Sequence, residues 1–156
     1  MKATQMQMAM KTIPIGIFGT AFFMVIVWFF LFTAIYYLIG SVFLGGDSSF
    51  KKLLSVQAWS SFIIMVSSII RVPLIRAKDS ALVSLSPAML LPSDLVGSKL
   101  FTMLSQIDFF IIWYLIVFGM GFSYIYRFSK VKSYTAIAIC WIIWVAAITI
   151  LSPSMA

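Results

Sequence analysis

Four long apolar segments, separated by short groups of polar and charged residues, dominate the chain. They cover about residues 15–44, 53–70, 107–126 and 134–151. A helix needs about 20 largely apolar residues to cross the hydrocarbon core of a membrane. Because lipid offers backbone polar groups no partner, each segment is expected to be helical. The pattern predicts an all-α, polytopic transmembrane helical bundle with four spans, in a single domain of residues 1–156.

The turn between the first two segments carries signals for the end of one helix and the start of another. Gly45 and Gly46 follow the first segment, and glycine readily adopts the left-handed conformation that closes a helix. Ser48 or Ser49 is then placed to cap the second helix through its side-chain oxygen. At the other end of the first segment, Pro14 suits the first turn of a helix.

The second span carries more polar residues than a transmembrane helix normally does. Gln57, Ser60 and Ser61, with Ser67 and Ser68 further on, recur at three or four residues and therefore share one side of the helix. One interpretation is hydrogen bonding to a neighbouring helix, which is worth about 0.6 kcal/mol per pair. The other interpretation is a polar track for a solute. The first is favoured because no charged residue joins this face.

A long connection joins the second span to the third. Pro73 is expected to end the second helix, because proline removes a backbone donor and crowds the preceding turn. Residues 81–92 are apolar but too short and too rich in proline to cross the membrane. They predict an interfacial or re-entrant segment. Within it, Ser86 followed by Pro87 suits the start of a short helix over residues 87–91.

Asp108 is the only acidic residue that falls within a predicted span. A carboxylate in the first turn of a helix complements the helix dipole, which would make Asp108 a structural residue. The alternative is a buried, functional carboxylate. Further along the same span, Gly119 and Gly121 are expected to allow close helix packing or a bend.

The basic residues lie next to the apolar segments rather than in a separate patch. The net charge is +7, and its position indicates membrane orientation and contact with anionic lipids rather than nucleic-acid binding. Cations are most often retained in short cytoplasmic loops. Two short loops are densely basic, and we expect both to face the cytoplasm. Their cations are Lys51, Lys52, Arg127, Lys130 and Lys132.

The composition excludes several kinds of chemistry. The chain is 63% hydrophobic and only 10% charged, and it contains no histidine and one cysteine, Cys140. It therefore lacks the ligand sets of zinc and haem sites, and no cofactor is expected. Cys140 lies in an apolar segment and is predicted to be an inert packing residue. No serine has a catalytic motif around it, so we expect a non-enzymatic protein.

Four stretches of the chain carry a family resemblance: GGDSSFKKLLSVQAWSS, LSPAMLLP, IDFFIIWYLIVFGMGF and RFSKVKS. Together they resemble the Yip family (Ypt/Rab-interacting proteins) in its prokaryotic form, over about residues 14–151. That family has five spans and a cytoplasmic N-terminus, and this sequence matches the last four. The resemblance implies that a first span is lacking, through truncation, an alternative start at Met1 or a shorter relative.

The resemblance implies a membrane scaffold. Eukaryotic relatives are scaffold proteins of the early secretory membranes that engage prenylated small GTPases through an N-terminal region not matched here. Prokaryotic relatives resemble inner-membrane proteins, some associated with ABC-type export or toxin-resistance systems. We therefore expect an adaptor in the inner membrane of a prokaryote that binds another membrane complex, such as an ABC-type transporter, or a second copy of itself. The alternative is a small transporter or channel that uses the polar face of the second span.

Overall fold

The computed structural model describes residues 2–78, 86–92 and 95–152. Within the first of these ranges, side chains are described only for residues 19–73. The described part of the chain forms helices and no strand. The elements are α1 (Lys2–Leu38), a π-helical turn (Ile39–Phe43), α2 (Phe50–Lys78), a 3-10 turn (Pro87–Leu90), α3 (Lys99–Ser105), α4 (Phe109–Tyr126) and α5 (Lys130–Leu151).

Four helical segments are long and apolar enough to cross a membrane. They confirm the predicted all-α transmembrane bundle, and the 3-10 turn and α3 are the shorter helices between the second and third spans. Much of the predicted segment over residues 81–92 lies outside the described residues. The four spans are Gly19–Phe43, Phe50–Pro73, Phe109–Tyr126 and Lys130–Leu151.

The structure corrects the expected helix ends at two prolines. α2 continues through Pro73 to Lys78, so Pro73 does not end this helix. α1 begins at Lys2, so Pro14 lies inside the helix rather than in its first turn. A proline removes only one helical hydrogen bond, whereas ending the helix in lipid would leave several backbone groups without partners. Continuing the helix is therefore the better solution.

Glycine and serine end and begin the first two helices as predicted. Gly45 has a φ of 67°, the left-handed conformation that glycine favours. The amide of Gly46 donates to the carbonyl of Gly40 at 2.9 Å, which closes the π-helical turn. Of the two candidate caps, Ser49 is the one whose side-chain oxygen accepts a hydrogen bond from the amide of Lys52, at 3.4 Å.

α2 and α4 run antiparallel and form the main contact of the bundle, with Val56 of α2 against Gly121 of α4. α5 packs on the other side of α4, where the Tyr134 ring occupies the space that a side chain at Gly119 would need. The predicted close packing at these two glycines is therefore confirmed. The buried core lies near the two short loops and consists of Tyr36, Leu53, Phe118, Phe122, Tyr126 and Ile137.

Candidate functional site

Gln57 lies in the interface between α2 and α4 and is only 5% exposed. The hydroxyl of Tyr114 donates a hydrogen bond to its side-chain oxygen at 3.0 Å. This contact joins two transmembrane helices deep within the bundle, where water is not available to replace it. The interhelical interpretation of Gln57 agrees with this geometry. A functional role for Gln57 stays a prediction.

Ser60 and Ser61 do not extend this contact across the interface. Their hydroxyls donate to the carbonyls of Val56 and Gln57, each at 2.8 Å, four residues earlier in the same helix. Ser60 is buried and Ser61 is half-buried. Back-bonding of this kind satisfies a hydroxyl in lipid without a partner helix. Of the three polar candidates on this face, only Gln57 has a described hydrogen bond to another helix.

Asp108 is fully buried at the start of α4 and pairs with Arg71 of α2. One carboxylate oxygen accepts from an Arg71 guanidinium nitrogen at 2.6 Å, and the other accepts from the amide of Phe110 at 2.9 Å. Asp108 is therefore the cap of α4, which agrees with the structural interpretation of this residue. The ion pair also fixes the end of α2 against the start of α4.

Sequence reasoning placed Arg71 at the start of the connection after the second span and missed its part in this site. Its position continues the spacing of three or four residues that relates Gln57, Ser60 and Ser67, so the polar face of α2 does include a charged residue. The predicted span stopped at residue 70, because Arg71 was read as the start of the connection and Pro73 was expected to break the helix. The expectation that no charge joins this face was wrong for that reason. Extending the periodic pattern by one more turn would have found the residue.

A cavity of about 450 Å³ lies between α1, α2, α4 and α5. Its walls are mainly apolar and aromatic, and Gln57 and Tyr114 contribute the polar contact described above. Cys140 also lines this space and is a half-buried free thiol. The cavity therefore brings the predicted candidate Gln57 together with residues of three other helices, while Asp108 does not line it.

The five basic candidates lie at the opposite end of the bundle from the Arg71–Asp108 pair. Lys132 joins the two short loops, because its ammonium group donates to the carbonyl of Leu44 at 3.0 Å and lies 4.3 Å from the centre of the Phe128 ring. All five cations are exposed. The predicted placement of both loops at one end of the bundle agrees with this contact. The cations are Lys51, Lys52, Arg127, Lys130 and Lys132.

Within the part of the chain that the structure describes, no group of three or more His, Cys, Asp or Glu residues is placed to hold a metal ion. The sequence model of a protein family, described as the Yip1 domain, matches residues 1–152. No match was found among curated protein sequences or among solved structures.

Proposed function

The chain belongs to the Yip1 domain family and is an integral membrane protein, and on these grounds we propose that it is a non-enzymatic adaptor that associates with another membrane complex. An ABC-type transporter is the partner class that the family resemblance suggests. The proposal needs a surface on which another membrane protein can pack, and it needs no catalytic group.

The observation that carries this proposal is the exposed, largely apolar surface of the first part of the first span. Every residue from 19 to 28 is exposed, and most of these side chains are large and apolar. Gly19 lies on this segment, and a Cβ atom built there meets nothing within 4 Å among the described residues. Transmembrane helices associate by close van der Waals packing at small residues, so this segment suits contact with a further helix.

The test is crosslinking and mass spectrometry of the tagged chain in its own membranes. We expect one stoichiometric partner complex. Gly19→Leu should reduce its recovery, because a leucine keeps a partner helix from approaching. Ala21→Leu is the matched control, since Ala21 is exposed on a different side of the same helix and should leave recovery unchanged. Recovery of the chain alone, or only as a homo-oligomer, would overturn the adaptor proposal.

A second candidate function is a small transporter or channel, and the position of Gln57 favours it. Gln57 lines the cavity, and Asp108 is a buried carboxylate at the boundary of the same bundle. Polar and ionisable residues within membrane spans often mark solute pathways. The test is solute flux into liposomes, with Gln57→Leu and Asp108→Asn expected to reduce it. Flux that neither variant changes contradicts this candidate.

We also propose that the two basic loops face the cytoplasm of a prokaryotic cell and that the protein lies in its inner membrane. The support for this orientation is the density of cations at one end of the bundle. Anionic headgroups on that side would attract the same residues, each by about 1 kcal/mol.

A further inference from the structure

The cavity between the four transmembrane helices has the size and composition of a ligand site. Its volume is about 450 Å³, within the range of about 300–1,000 Å³ that small-molecule sites occupy. Such sites combine apolar walls with a few polar groups that fix the orientation of the ligand, and in helical bundles they lie between helices. Phe32, Ile64, Trp141 and Trp144 are among the apolar residues that line this one.

The two most deeply buried polar residues on the cavity wall, Tyr36 and Gln57, each carry a donor with no described hydrogen-bond partner. Tyr36 is only 7% exposed, and no described residue hydrogen-bonds to its hydroxyl. Gln57 accepts from Tyr114 through its oxygen, which leaves its NH₂ group as the second donor. A donor that faces an apolar cavity without a partner is unfavourable, because the membrane interior supplies no water to pair with it.

The chemistry of the wall selects a neutral ligand that carries an acceptor. None of the described residues that line the cavity is charged, so an ionised molecule would lose its hydration without gaining a counter-charge. The Tyr36 hydroxyl and the Gln57 NH₂ group can both donate, and a carbonyl oxygen accepts from two donors through its two lone pairs. Three lining residues reach the lipid-facing surface: Ile35, Ile64 and Ile143 are 40%, 40% and 63% exposed.

We propose that this cavity binds a neutral, lipid-soluble molecule through a carbonyl group held by the Tyr36 hydroxyl and the Gln57 amide. The molecule enters from the bilayer. An acyl ester and a membrane quinone share this chemistry. The site does not depend on whether the chain acts as an adaptor or as a transporter, so failure of either proposed function leaves it standing.

Tryptophan fluorescence reports occupancy directly, because Trp141 and Trp144 line the cavity. The other three tryptophans are changed to phenylalanine, which keeps an aromatic ring at each position. The full-length chain is then placed in nanodiscs and titrated with three quenchers. These are a dibrominated stearate methyl ester, decylubiquinone and a dibrominated hydrocarbon of the same chain length. The background substitutions are Trp28→Phe, Trp59→Phe and Trp113→Phe.

Two alanines on α5 give a matched pair of variants. Ala147 lines the cavity, whereas Ala146 is exposed and lines a separate groove beside α3. We expect saturable quenching by the ester or the quinone, lost in Ala147→Leu and kept in Ala146→Leu. Tyr36→Phe should weaken binding about two- to tenfold, the effect of one lost hydrogen bond. The quencher whose effect saturates shows whether the bound carbonyl belongs to an ester or to a quinone.

Quenching that rises without saturation, or that is equal in the two alanine variants, reflects partition into lipid and would falsify the site. If Ala147→Leu does not fold, Tyr36→Phe decides, because it removes a single oxygen atom and preserves the shape of the wall. Equal binding of the hydrocarbon and the ester, together with unchanged binding in Tyr36→Phe, overturns recognition of a carbonyl group.

Discussion

The Tyr114–Gln57 hydrogen bond lets a single polar pair join α2 to α4 within an apolar interface. Tyr114→Phe removes the donor and leaves the shape of the ring unchanged. We expect the free energy of unfolding to fall by about 0.6 kcal/mol, the average for such pairs in membrane helices. Unfolding in mixed micelles titrated with a denaturing detergent measures this change.

Tyr124→Phe is the control for that measurement, because Tyr124 lies on the same helix and is 85% exposed. It should leave stability unchanged. A double-mutant cycle with Gln57→Leu isolates the pairwise energy. A coupling energy of zero in that cycle would show that the pair contributes nothing to stability.

The Arg71–Asp108 pair gives a second prediction for a single residue. Asparagine caps a helix about as well as aspartate does, so Asp108→Asn keeps the cap of α4 and removes only the ion pair. It leaves a positive charge that is partly buried, since the Arg71 side chain is 34% exposed. We expect a loss of about 2 kcal/mol, less than the 3–5 kcal/mol typical of fully buried pairs.

Adding Arg71→Met to Asp108→Asn should recover most of that stability, because the charge without a partner is then gone. The same detergent titration compares the single and the double variant. A single variant as stable as the original chain would mean that solvent compensates Arg71 fully. A double variant no more stable than the single one would assign the loss to Asp108 alone.

For the helices, close approach to α4 depends on glycine. Gly121 lies against the γ-carbons of Val56, and valine is too stiff at its first side-chain torsion to move aside easily. Gly121→Ala should therefore separate α2 from α4 and cost about 1–3 kcal/mol. The matched control is Gly19→Ala. A Cβ atom at this position meets nothing within 4 Å, so the variant should be about 0.5–1 kcal/mol more stable through helix propensity. Thermal unfolding measures the stability of both variants. Melting temperatures that shift in the same direction would refute this prediction.

The hydrophobic pattern was sufficient to predict the helical fold, because long apolar segments in lipid have few alternatives to a helix. Helix ends at proline were not predictable, since the outcome at Pro73 depends on the cost of leaving backbone groups unpaired rather than on the residue itself. Of the candidate site, Gln57 and Asp108 were identified as unusual residues within spans. The spacing along α2 could have placed Arg71 on the polar face. Its pairing with Asp108, and the pairing of Tyr114 with Gln57, depend on how helices pack, which no local pattern encodes.

For the whole molecule, α3 and the two basic loops lie at opposite ends. α5 begins at Lys130, and Thr102 of α3 lies 3.3 Å from Ser152 at its far end, hydroxyl to hydroxyl. With Cys140→Ala as background, we expect Leu100→Cys to react with a membrane-impermeant maleimide in intact cells. Lys130→Cys should react only after the membrane is permeabilised. The reverse labelling pattern would place the basic loops outside.

The length of α4 limits the thickness of the membrane that this bundle can cross without mismatch. Its 18 residues rise about 27 Å, slightly less than the typical hydrocarbon thickness of about 30 Å. α5 has 22 residues and rises about 33 Å, so neighbouring spans prefer different thicknesses. Either the bilayer thins around α4, or the polar side chains that flank this helix extend toward the headgroups. Each response costs a fraction of a kcal/mol per Å of mismatch. The longer spans can tilt to fit a thin bilayer, whereas α4 cannot lengthen to fit a thick one. The protein should therefore be enriched in thinner, shorter-chain regions of its membrane, so that bilayer thickness itself acts as a sorting signal.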